Sequence, residues 1–135
     1  MSASDLNDER CSHVAHENGI HELILHDSSD GALDAWMNHL DRIFSQHNPN
    51  LLLRTLYTPD VDGVPSVTGL MNRMRALMKR HPVRPIARSA VLYNNANMTR
   101  IMNVFAQLAN LSGKDEARFF AKSQREEAIE WLLRN

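Results

Sequence analysis

The chain has 135 residues, 43% hydrophobic and 23% charged, with a formal net charge of −1. That is one ordinary soluble domain of about 100–150 residues, and it excludes collagen, coiled coil, repeat arrays and a disordered chain. No apolar run approaches the roughly 20 residues that cross a bilayer, and the single cysteine, Cys11, excludes an internal disulfide and a thiolate zinc cluster.

The start, M-S-A-S-D-L-N-D-E-R, is polar and has no apolar core of a secretory signal. Residues 1–10 are expected to be disordered, with one cytoplasmic domain over 11–135. The runs 11–17 and 20–26 flank Asn18-Gly19, a pair that favours a type I′ hairpin turn because both positions tolerate positive φ. Asp27 to Asp30 supply helix-capping side chains. Leu33, Trp36, Met37, Leu40, Ile43 and Phe44 then recur at helical spacing, which predicts a helix over about 30–46.

Leu51 to Tyr57 is a mostly apolar run of the buried-strand type. A polar loop follows, and Ser66 can cap the next helix. Val67, Leu70, Met71, Met74, Leu77 and Met78 form its apolar stripe, stopped by His81-Pro82. Pro85 to Tyr93 predicts another strand. Met98, Ile101, Met102, Phe105, Leu108 and Ala109 form a third stripe, with Gly113 as a left-handed cap. Ala117 to Ala121 is a short last strand. Ser123 and Glu126 have capping-box spacing for a final helix bearing Ala128, Trp131 and Leu132.

The order is β-β-α-β-α-β-α-β-α. Strands alternating with helices imply an α/β domain: a single, mainly parallel five-stranded sheet with an N-terminal β-hairpin and four helices.

The near-neutral total conceals a lopsided distribution. Residues 1–62 hold eleven acids against three bases, whereas 63–114 hold eight bases and no acid. One reading is an anion-facing surface or a self-complementary one. The other is that the two segments neutralise each other across the fold.

The element order, with I-H-E-L-I-L-H-D before the Trp36 helix, L-L-L-R-T-L-Y, R-S-A-V-L-Y-N-N and A-R-F-F-A-K-S-Q-R-E-E-A-I-E-W-L, resembles the STAS fold of bacterial anti-sigma-factor antagonists. It is most similar to the SpoIIAA-like, STAS/SEC14-like group, over about residues 11–135. The resemblance implies a regulatory module in which the helix after the third strand begins at an Asp-Ser-Ser-Gly-like motif. Its Ser before the Gly is phosphorylated by a partner kinase. In P-S-V-T-G-L, Thr68 stands before Gly69, and Ser66 stands where the motif has Asp.

Ser66, Thr68 and Gly69 are therefore candidates for a phosphoacceptor or anion site, since free N–H groups and the dipole at a helix start favour negative charge. A bare N-cap is the competing role for Ser66. The set Arg73, Arg75, Lys79, Arg80, Arg84 and Arg88 is a candidate anion-binding surface, against a plain solvated helix face. No aromatic residue separates these bases, so nucleic acid is not an expected partner. The methionines at 71, 74, 78, 98 and 102 fit a packed core, or else an apolar ligand pocket. The histidines at 13, 16, 21 and 26 carry no metal-ligand spacing and suggest scattered surface imidazoles.

No nucleophile elbow, phosphate loop or paired-carboxylate motif occurs, so neither an enzyme, a cofactor nor a metal is expected. Asp60 and Asp62, in a loop at the carboxyl end of a strand, carry the weakest reading, an enzyme site. The leading expectation is a non-enzymatic regulatory or interaction module. It would dock a protein partner, a second copy or an anionic ligand at loop 58–69 and the start of the following helix. The alternative is a small-molecule or lipid binder, with a Met-lined apolar pocket and a basic head-group site.

Overall fold

A computed structural model describes residues 10–60 and 66–134. The expected disorder over 1–10 thus falls, Arg10 apart, outside the described residues; so do 61–65, which include Asp62. The elements are β1 (Cys11–Ala15), β2 (Ile20–Leu25), α1 (Asp30–Gln46), β3 (Leu53–Pro59), α2 (Val67–Arg80), β4 (Ala87–Tyr93), α3 (Met98–Ser112), β5 (Glu116–Ala121) and α4 (Arg125–Leu132), the last preceded by a single 3₁₀ turn at Lys122–Gln124. The α/β order matches the expectation.

The strands lie side by side in chain order. β1 is antiparallel to β2, and every later pair is parallel. Parallel neighbours joined by right-handed crossovers place their helices on one face. That face holds the larger core, where Leu23, Leu53 and Val91 meet Leu33, Trp36 and Leu40 of α1, Leu70 and Leu77 of α2, and Ile101 and Phe105 of α3. The opposite face is covered by α4. There Ile20, Leu56, Ala90, Leu92 and Phe120 pack on Ala128 and Leu132.

Local chemistry explains where the boundaries differ from the periodicity. The hairpin turn is not type I′, because Gly19 has φ +88° and Asn18 does not share the positive φ. Gly19 N–H instead donates to His16 O, and His16 N–H to Ile20 O, the pattern of a three-residue loop that needs one left-handed residue. β3 starts at Leu53 rather than Leu51 because Leu51 N–H closes a turn on Asn48 O. Ser123 does not cap α4. The Gln124 side chain accepts from Ala121 N–H at 3.0 Å and tightens the entry into a 3₁₀ turn. Ser29 and Ser66 cap α1 and α2, accepting from Ala32 N–H and Gly69 N–H.

Among the described residues no helix is long and apolar enough to cross a membrane.

Candidate functional site

In a parallel sheet the crossover loops gather at the carboxyl ends of the strands, and ligand or partner sites form there. In this chain that end carries the loop after β3, the first turns of α2 and α3, and the Asn94–Asn97 turn. Asn94 and Asn97 cap each other. Each backbone N–H donates to the other's side-chain oxygen, at 2.9 and 3.0 Å, which fixes where α3 begins.

Ser66, Val67 and Thr68 are exposed at the start of α2. Ser66 Oγ accepts from Gly69 N–H at 3.2 Å, as an N-cap does. No acid stands in the first turn of this helix. Gly69 is half-buried. A Cβ there would meet an Arg73 nitrogen at 3.1 Å and Leu33 at 3.4 Å, so glycine lets α2 lie close to α1.

Periodicity assigns Val67 and Met98 to apolar stripes. Both are instead 37% exposed. They occupy the first turns of α2 and α3. An apolar cavity of about 30 Å³ is lined by Leu25, Trp36, Tyr57, Pro59, Ile101 and Val104. Burial pushes the Tyr57 hydroxyl up to about 12 and keeps it neutral.

A second cavity, of about 80 Å³, lies between α2, α3 and the sheet and includes Met74 and Met78 in its lining. Both are far below the roughly 300–1,000 Å³ of a small-molecule pocket. The lipid-sized pocket expected between Met-rich helices is therefore not found among the described residues. Of the five methionines, Met74 is half-buried and packs against the larger core, Met71, Met78 and Met102 are half-buried and Met98 is exposed, while Leu70 and Leu77 are the buried residues of α2.

The basic set does not gather into one site. Arg73 Nε donates to Asp34 at 2.8 Å, and its Nη1 to Gly69 O. Arg80 stands 3.4 Å from Asp41, which also accepts from His81 at 2.7 Å; the His81 bond, then Arg80, holds the Asp41 carboxyl below its ordinary range. Both pairs, Asp34–Arg73 and Asp41–Arg80, span the same 39 residues, as two parallel helices in register require. Part of the charge asymmetry is thus neutralised between α1 and α2. Arg84 donates to His81 O. Arg88 lies on the other face of the sheet, over Trp131 and bonded to Arg134 O, where it serves the end of α4. Arg75 and Lys79 remain exposed, paired with no carboxylate among the described residues.

Asp60 is exposed and 3.5 Å from His26. Asp62, the other acid of the enzyme reading, lies outside the described residues.

The imidazoles are not scattered. Arg42 Nη2 donates to Nδ1 of His13, at 2.9 Å, and of His39, at 3.0 Å. A guanidinium only donates. Both rings therefore keep their proton on Nε2, from which His13 donates to His21 Nδ1 and His39 to Cys11 O, each at 3.0 Å. Burial, then the neighbouring His21 and the Arg42 guanidinium, lowers His13 to about 4. His21 is lowered as well, by burial and His47. No linear spacing marks this network, because β1, β2 and α1 each supply part of it. Among the described residues no three metal-binding side chains converge.

Across the sheet, Glu22 is a buried carboxylate. Arg125 grips both its oxygens, at 2.7 and 2.8 Å, with Thr58 and His16 also donating. Burial alone would raise this acid. The hydrogen bonds from Arg125, Thr58 and His16 outweigh it and draw Glu22 down to about 2.

A protein-family model described as SpoIIAA-like matches residues 20–133, most of the chain. No curated protein and no solved structure matches it.

Proposed function

The chain belongs to the SpoIIAA-like family, and we propose that it works as a regulatory interaction module without a catalytic step of its own. Its docking surface is the carboxyl end of the sheet: loop 58–69, the start of α2 and the adjoining first turn of α3. The observation that carries this is the exposure of Val67 and Met98 at the starts of two helices. Apolar side chains in water, rimmed by hydroxyls and amides, have the composition of a protein-docking surface.

Ser66 and Thr68 are the control points of this surface. A phosphate on either would sit at a helix start free of acids, where N–H groups and the dipole favour it. Its charge, beside Val67, would oppose docking of an apolar partner surface. Arg75 and Lys79 are the members of the basic set left to meet an anionic partner, since Arg73 and Arg80 are engaged by α1.

Photo-crosslinking in the cells that make the protein tests this. A photoreactive residue at position 67 or 98 is expected to trap the same protein, while one at Glu130 on α4, also exposed, does not. Equal trapping at all three positions, or trapping at 130 alone, overturns the proposal.

A further inference from the structure

A sheet ends in two edge strands, each with backbone N–H and C=O groups that no neighbouring strand reaches. Here the two edges differ. β1 is covered, with Cys11, Ser12 and His13 buried and His39 of α1 donating to Cys11 O. β5 is open, with Glu116, Ala117 and Arg118 all exposed.

The direction of its free backbone groups follows from one hydrogen bond. Ala121 N–H is taken by the Gln124 side chain rather than by β4. The N–H and C=O of a strand residue point to one side, and the side alternates along the strand. Phe119 and Ala117 therefore also turn theirs outward.

The side chains on this edge are self-complementary. Arg118 lies over the rings of Phe120 and Trp131, at 5.3 and 6.0 Å, and meets no carboxylate among the described residues. Glu116 is 59% exposed, and Arg88 stands 3.7 Å away. Glu116 and Arg118 are two apart, so they share one face of the strand.

We infer that β5 is the interface of a homodimer, in which β5 of a second copy pairs antiparallel with it about a two-fold axis through Ala117. In this register Glu116 of each copy stands opposite Arg118 of the other, twice over. Ala117 faces its own copy, and its small side chain keeps the axis uncrowded. The outward groups of Ala117 exchange two hydrogen bonds across the axis, and those of Phe119 reach the chain just before Glu116. The register centred one residue later sets Arg118 against Arg118, and like charges directly opposite are unfavourable. The contact is isologous and closes on itself, so it yields a dimer rather than a fibre. It lies on the side of the sheet, away from the carboxyl-end surface, and does not depend on that surface's role.

Sedimentation equilibrium of the full chain, taken to sub-millimolar concentration in low salt, tests this. The wild type is expected to dimerise. Glu116→Arg and Arg118→Glu each set like charges opposite one another at both positions, and each should raise the dimer dissociation constant by about tenfold or more. An equimolar mixture of the two variants should form a heterodimer nearly as tight as the wild type, because each changed side chain then meets its opposite. Chains that had merely unfolded would not recover on mixing. A wild type that stays monomeric, a dimer that neither variant weakens, or a mixture no tighter than its components overturns the inference.

Discussion

Arg125, in the first turn of α4, donates to both oxygens of Glu22 in β2 across 103 residues of chain. It ties α4, on its side of the sheet, to the strand that begins the parallel core. Thr58 of β3 donates to the same carboxylate at 2.7 Å, so one buried acid joins β2, β3 and α4.

Removing the cation leaves that acid buried and uncompensated, which typically costs about 3 kcal/mol. Arg125→Met is expected to lose that much at pH 7 in chemical denaturation. Glu22 sits at about 2 in the fold against an ordinary 4.5, so its contribution is present above pH 4.5 and is lost as pH falls toward 2. The gap between variant and wild type should therefore narrow at pH 3. A gap that stays constant with pH contradicts the assignment.

His13 gives a second, separate acid dependence. It is neutral in the fold, and its value falls from 6.5 to about 4. The unfolded chain therefore binds more protons between those limits, and stability declines as pH drops through that window. The full linkage is worth about 3 kcal/mol. His13→Gln should flatten this limb of the stability curve. In the wild type the His13 ring proton should titrate near pH 4 by NMR, and titration near 6.5 would refute the network.

Ser66 has a structural duty apart from any control function. Its cap on Gly69 N–H predicts that Ser66→Ala lowers stability by about 1 kcal/mol, while Ser66→Asp keeps the cap. Thr68 is exposed, and Ser66 rather than Thr68 caps α2. Thr68→Glu should change stability by less than about 0.5 kcal/mol while weakening partner capture. Calorimetry and crosslinking yield on the same variants separate the two effects.

Gly113 ends α3 with φ +72° and open space around its Cβ position. Gly113→Ala should cost about 1 kcal/mol from backbone strain alone. An unchanged melting temperature would show that the left-handed cap contributes nothing.

The order of elements was legible because three helical stripes and the apolar strand runs are periodic, and because Ser29, Ser66 and Gly113 punctuate them. The ends of stripes were less so. Val67 and Met98 fit the spacing of their helices, yet stand exposed in the first turns of α2 and α3. Periodicity records the face of a helix, not where its neighbour stops. The histidine network and the Glu22 site were not legible, since each draws residues from three or more elements. The basic run looked continuous in sequence, whereas α1 engages Arg73 and Arg80, and Arg88 faces the other side of the sheet.

On the proposed function, Val67 and Met98 mark a docking surface. Native mass spectrometry of the protein purified gently from its own cells tests it most directly. The wild type should carry a protein adduct of discrete mass, distinct from that of a second copy of the chain, and a Val67→Asp, Met98→Asp double variant should lose it while keeping its native charge-state distribution. An adduct retained at the same occupancy by the variant, or a wild type without such an adduct, would contradict the claim.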